Sequence, residues 1–297
     1  MFGSLDELNR HLSEITNKEN NKALTKFEGY SPIEMNTIIY DTFGTNSPIQ
    51  LKRLTEIEYQ SIPILNQIKY LLEIIQKQGE LKLTSKGYLP TKIVADIYSK
   101  KFIVDKDVEN GLIKLYKETD SISINITRIL VEISGLAKKR NNKLSLTKLG
   151  EKNLSNNFTL LEIIFKTFGH KFNWAFYDLY TQMPLGQIGF GFTLILLSKY
   201  GNTKQPVMFY SEKYFAAFPQ LVISEEEPGY SSREIRSNNC YSIRSFDRFF
   251  DFFGLIIIEH GKSYLDPKQI DKSSLFDKLI KIHPHVDFSQ TKTTGSV

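Results

Sequence analysis

Four cations, Lys138, Lys139, Arg140 and Lys143, stand around the dipeptide Asn141-Asn142 in the stretch SGLAKKRNNKLSLTKLG, Ser134 to Gly150. Basic side chains at this density neutralise phosphates, and an arginine near a narrow tip fits the minor groove of a duplex. Upstream, Ser121, Ser123, Asn125 and Arg128 open an apolar helix. Short polar groups at a helix start are the type that reads base edges in a major groove. Together the two sets point to double-stranded DNA as a partner. The competing reading is that lysines and arginine keep an exposed strand edge from pairing with other chains.

These residues need a hairpin and a helix to hold them. LAKKR and KLSLT alternate as strands do, and Asn-Asn suits a two-residue turn because Asn tolerates positive φ. KLGEKNL follows as a closing helical turn. Before the hairpin, PILNQIKYLLEIIQKQG places Ile64, Leu65, Ile68, Leu71, Leu72 and Ile75 on one face and stops at Gly79. ELKLT reads as a short strand and LPTKIVADIYSKKF as a second helix. GLIKLYKE reads as a helical connection, leading to a third helix in SISINITRILVEISGL that ends at Gly135.

The order helix, strand, helix, helix, strand, strand resembles a winged helix. That resemblance implies that the third helix lies in a DNA groove and that the hairpin is the wing. LKLTSKGYLP, with the GL…LSLT wing downstream, also looks like a pattern in uncharacterised bacterial proteins, some plasmid-borne or carrying metal-binding tails; it implies no activity, and no cysteine-rich tail is present here. The order recurs. QIGFGFTLILLSKYG reads as a helix ending at Gly201, QPVMFY as a strand, SEKYFAAFP as a short helix, SIRSFDRFFDFFG as a helix, and LIIIE with KSYL as a hairpin turning at His260-Gly261. Gly135 precedes Leu146 by the same interval as Gly254 precedes Leu265, so two diverged copies of one architecture are expected.

The expected fold class is therefore mainly α with short β-hairpins, an α+β arrangement of two winged-helix-like units with N-terminal and connecting helices. The boundaries read as 1–59 for an N-terminal helical cap, 60–156 for the first unit, 157–184 for a connecting helical segment around Trp174, 185–286 for the second unit with its C-terminal helix SSLFDKLIKI, and 287–297 for a flexible tail. In the cap, Leu5, Leu8, Leu12 and Ile15 fall at helical spacing, and Ser31 followed by Pro32 marks a helix start.

Charge is unevenly placed along the 297 residues. Residues 60–156 hold 17 basic against 10 acidic side chains, whereas 1–59 hold 6 against 9 and 157–297 hold 15 against 14. The surplus of the whole chain sits in the segment with the basic hairpin, as a phosphate-contacting module needs. One cysteine, Cys240, excludes an internal disulfide framework and a cysteine-built zinc site. The start of the chain lacks the apolar core of a signal peptide, and no apolar run has the length of a membrane span, so a cytoplasmic protein without membrane contact is expected.

The second unit reads differently. Phe246, Phe249, Phe250 and Phe253 form a core stripe, with Arg244 paired to Asp247 and Arg248 to Asp251 on the polar face. Phe252 falls off that stripe and reads as an exposed anchor for a protein partner or a second copy. Its hairpin, with Glu259, His260 and Lys262, offers no positive field. His283 and His285 read as part of a solvated tail, GQIGFG as close helix packing rather than a dinucleotide site, and Glu225 to Glu227 as a solvated loop. No catalytic residue, cofactor or metal ligand is expected. The function expected from sequence is a non-enzymatic nucleic-acid-binding regulator or accessory factor, with a protein-interaction or assembly module as the alternative.

Overall fold

The computed structural model describes residues 4–223, 232–261 and 267–285. Its helices and strands, in chain order, are α1 (Leu5–Asn20), α2 (Pro32–Tyr40), β1 (Ile49–Leu51), α3 (Pro63–Gln78), β2 (Leu81–Lys82), α4 (Thr91–Ser99), α5 (Ile122–Ile133), β3 (Ala137–Arg140), β4 (Lys143–Leu146), α6 (Lys148–Asn153), α7 (Asn157–His170), α8 (Phe190–Tyr200), β5 (Gln205–Pro206), α9 (Val207–Ala217), α10 (Arg233–Tyr241), β6 (Ile256–Glu259), β7 (Gln269–Lys272) and β8 (Ile280–Ile282), with short helical turns between them. The described chain is mainly helical with small antiparallel sheets, an α+β composition.

The chain divides into two units, neither of them continuous. One holds Met1–Lys52, Tyr177–Ser245 and Ile256–Val297; the other holds Arg53–Phe176 and Phe246–Leu255. This partition departs from the boundaries expected from sequence. The first part of the expected cap clusters with the later half of the chain, the connecting segment through Phe176 belongs with 53–156, and the phenylalanine stripe after Ser245 is contributed to that same unit.

In the unit built on 53–176, α3 is buried along Ile64, Leu65, Ile68, Leu71, Leu72 and Ile75, and Gly79 ends it at φ 72°, a conformation that glycine adopts without strain. α3 packs against α5, β4 and α7. Rings complete the core: Phe165 stacks on Phe253 with centroids 3.9 Å apart, Phe168 meets Phe249 edge to face at 5.2 Å, and the Trp174 indole donates to the Phe168 carbonyl at 2.7 Å. Such ring pairs add about 0.5–1.5 kcal/mol each beyond the area they bury.

The sheet of this unit has the order β2-β4-β3, and the sheet of the other unit has the order β5-β7-β6. Each is therefore a hairpin whose second strand also pairs with a short strand from earlier in its segment, and helices precede it in the same order. The correspondence between the two segments is close in topology and loose in detail. QPVMFY supplies only the two-residue strand β5 before turning into α9, where Tyr210 and Tyr214 are buried one turn apart. The return strand β7 lies at Gln269–Lys272, later than the expected KSYL, which lies outside the described residues. The equal glycine spacings therefore do not mark equal hairpins.

Two further expectations are corrected. GLIKLYKE is not helical up to its last residue; one helical turn precedes it at Lys106–Glu109, another starts at its final Glu118 and runs to Asp120, and Leu112, Ile113 and Tyr116 are exposed. SSLFDKLIKI makes only one turn, Phe276–Leu279, and then becomes β8, which pairs antiparallel with β1 through Ile49↔Ile282, Gln50↔Lys281 and Leu51↔Ile280. The chain continues to His283, whose N–H donates to Pro48, and the His285 ring lies 2.6 Å from the Glu34 carboxylate. His285 is thus half-buried against Glu34 of α2 rather than solvated, whereas His283 is held through its backbone beside β1 and its side chain stays exposed. The expected tail, 287–297, and Glu225 to Glu227 lie outside the described residues.

Candidate nucleic-acid interface

The hairpin folds as its sequence dictates. Asn141 and Asn142 take φ of 49° and 56°, the paired left-handed conformation of a two-residue turn matched to strand twist. β3 and β4 pair as Ala137↔Leu146, Lys138↔Ser145, Lys139↔Leu144 and Arg140↔Lys143, and β2 adds Leu81↔Leu144 and Lys82↔Lys143. Leu81, Leu144 and Ala137 are buried.

Side chains alternate between faces along a strand and share a face with the residue directly across. Since Leu144 points into the core, Lys143 and Ser145 point away from it, taking Lys82, Arg140 and Lys138 with them. The outer face of the sheet thus carries Lys82, Lys143 and Arg140 in one row across three strands, with Lys138 one step along. At about 4.8 Å between strands the row is about 10 Å wide. All four cations are exposed. Lys143 has a counter-ion in Glu80 at 2.6 Å, both side chains about half exposed. Among the described residues, Lys82, Lys138 and Arg140 make no side-chain hydrogen bond or ion pair.

Lys139 lies on the opposite face, where its ammonium donates to the Gly87 carbonyl at 3.4 Å. The loop carrying Gly87 braces the turn, with Leu83 N–H donating to the Asn142 carbonyl at 2.8 Å. At the base of the hairpin, the Thr147 hydroxyl donates to the Gly135 carbonyl at 2.6 Å and accepts from Gly150 N–H at 3.1 Å, capping α6. A Cβ on Gly150 would stand 2.1 Å from the Leu136 carbonyl oxygen, so only glycine allows this approach of helix to strand. The cationic face is held on a rigid mount.

The helix residues expected to meet base edges are placed otherwise. Ser121, Ser123, Asn125 and Arg128 are all buried. Glu118, from the preceding turn and fully buried, accepts from Leu89 N–H at 2.6 Å, from the Asn125 amide at 2.7 Å and from Arg128 Nε at 2.6 Å, while Arg128 also reaches Glu132. Burial pushes the Glu118 carboxyl above the ordinary carboxylate range, against these donors. Arg128 is pushed down by burial and more than restored by Glu118 and Glu132. The Ser121 and Ser123 hydroxyls bond each other at 3.2 Å, and Thr127 links the helix to Gln67 of α3 at 2.8 Å. These groups build the unit's interior polar network and present nothing to a groove.

Phe252 is corrected likewise. After α10 the chain winds as a wider helix over Ser242–Phe250, and bonds such as Asp251 N–H to the Phe246 carbonyl span five residues. The wider winding turns Phe252 inward: it is buried beside Phe168, and its carbonyl accepts from Ile64 N–H at 2.9 Å. Arg244 pairs not with Asp247 but with Asp178, both side chains fully buried, and donates to the Thr181 and Met183 carbonyls at 2.6 Å.

Sequence reasoning missed Lys82. It stands in a two-residue strand 61 positions from Lys143, and only the pairing of β2 with β4 puts the two side by side. A polar groove of about 440 Å³ in the same unit is lined by Arg53, Glu56, Lys152, Asn156 and Asn157 among others. Its floor is internally satisfied, since Asn157 donates to Glu56 at 2.6 Å and accepts from Lys69 at 3.1 Å. Cys240 is buried, and no cluster of three metal-ligating side chains occurs among the described residues. No helix among them is long and apolar enough to cross a membrane. Comparison of the chain with family models, curated proteins and solved structures found no match.

Proposed function

We propose that the segment 60–156 is a winged-helix module that binds double-stranded DNA through the outer face of its three-stranded sheet, in a non-enzymatic regulatory or accessory protein. The observation that carries this reading is the ladder row Lys82, Lys143 and Arg140. Like charges directly opposite one another destabilise a sheet, and here one member of the row has a counter-ion while the other two have none among the described residues. A polyanion laid across the row relieves that repulsion and releases condensed counter-ions.

The buried start of α5 changes how such a module reads its target. With Ser121, Ser123, Asn125 and Arg128 committed to the interior, the interactions left are with phosphates and groove shape, which position a protein without carrying base identity directly. Binding is then strongly salt-dependent and tolerant of sequence.

The test is fluorescence anisotropy with labelled duplexes of two unrelated sequences across a salt series, comparing the natural chain with Lys138→Glu/Arg140→Glu. Every phosphate that is no longer neutralised takes about 0.9 off the log-log salt slope on duplex DNA, so the double variant lowers it by about 1.8 on both duplexes. An unchanged slope and affinity in the variant overturns the proposal.

A further inference from the structure

We infer that α1 is a self-association helix, paired antiparallel with α1 of a second copy of this chain. This stands apart from the duplex-binding reading and rests on other residues. α1 has sixteen residues, none of them buried. Its apolar side chains Leu5, Leu8, Leu12 and Ile15 follow the alternating three and four spacing of a heptad seam; Leu5, Leu12 and Ile15 are 76%, 51% and 48% exposed, while Leu8 is half-buried where α1 meets α2. Single helices of this length are marginal in water unless an amphipathic face is covered.

What covers the seam is argued from its symmetry and charge. The three-four-three spacing reads the same in both directions, so an antiparallel copy sets Leu5 against Ile15 and Leu8 against Leu12 with no apolar position left over. The seam-flanking positions are Asn9, His11, Thr16 and Lys18, while Asp6, Glu7, Arg10 and Glu14 lie farther from the seam. Two copies therefore approach without stacking like charges. Antiparallel pairing brings Lys18 of each copy to the first turn of the other, which carries Asp6 and Glu7. Parallel pairing would instead gather the acidic first turns at one end and both Lys18 residues at the other, and would align the two helix dipoles.

Sedimentation velocity of the full chain over a hundredfold concentration range tests this. The expected result is conversion from the 34.3 kDa monomer to a dimer as concentration rises. Leu12→Asp/Ile15→Asp should shift the dissociation constant upward at least a hundredfold with unchanged circular dichroism melting of the remainder, since neither side chain is buried. Orientation is read by mild oxidation of single variants: Asn9→Cys, which faces its own copy in the antiparallel register, forms a disulfide dimer, and Ser13→Cys, on the outer side, does not. A natural chain that stays monomeric throughout, a dimer that survives Leu12→Asp/Ile15→Asp, or equal cross-linking at both cysteines overturns the inference.

Discussion

Replacing Lys82 by Glu should make the free protein more stable while making it a poorer duplex binder. In the β2–β4 ladder Lys82 stands directly across from Lys143, which in turn stands across from Arg140. Two unit charges about 5 Å apart in water repel by about 0.8 kcal/mol. Long exposed side chains splay to reduce this, and cross-strand charge pairs measure about 0.2–1 kcal/mol. Lys143 is already partly neutralised by Glu80. Turning one repulsion into an attraction is therefore worth about 0.5 kcal/mol for Lys82→Glu, with Lys82→Gln intermediate. Urea denaturation at low and high ionic strength provides the assay, because the screening length falls from about 30 Å at 0.01 M to about 3 Å at 1 M. The gain should be present in the first condition and absent in the second. Destabilisation at low salt, or a gain that persists at 1 M, would refute the placement of Lys82, Lys143 and Arg140 on one face.

Two other substitutions probe the interior. Arg128→Met leaves the buried Glu118 carboxylate with only the Asn125 amide and the Leu89 N–H, and should lower unfolding free energy by about 3–5 kcal/mol in urea denaturation, as removal of one partner of a buried pair does. Glu28→Gln tests a second cluster: burial raises the Glu28 carboxyl, but hydrogen bonds from Tyr200 and Lys213 outweigh it and hold the pKa below the ordinary carboxylate value. A carboxylate with a lowered folded pKa stabilises the protein above its unfolded pKa and loses that contribution as pH falls through the folded value. The stability advantage of the natural chain over Glu28→Gln should accordingly be full at about pH 6 and shrink steadily below about pH 4 in thermal melts.

What is legible in the sequence is local. The Asn-Asn turn, the alternation of KLSLT, the Ser31-Pro32 helix start and the Gly79 stop each depend on a few adjacent residues, and each forms as expected. The failures lie where distant residues decide. Ser121, Ser123, Asn125 and Arg128 look like an outward polar face until Glu118 and, through Thr127, Gln67 of α3 supply an interior network. Phe252 leaves a stripe drawn at 3.6 residues per turn because the winding there is wider. β8 reads as helix because its pairing partner, β1, lies more than 200 residues away. Lys82 escapes notice for the same reason: pairing register is a property of two segments, and neither segment states it alone.

The central claim, that three strands jointly present one phosphate-binding row, is tested most directly at Lys82, the member that only the ladder reveals. The measurement is the salt slope of duplex affinity for Lys82→Gln beside Lys166→Gln, an exposed lysine on α7 outside the sheet. The account predicts a slope lowered by about 0.9 for Lys82→Gln and the natural slope for Lys166→Gln. Equal slopes for all three chains would contradict it.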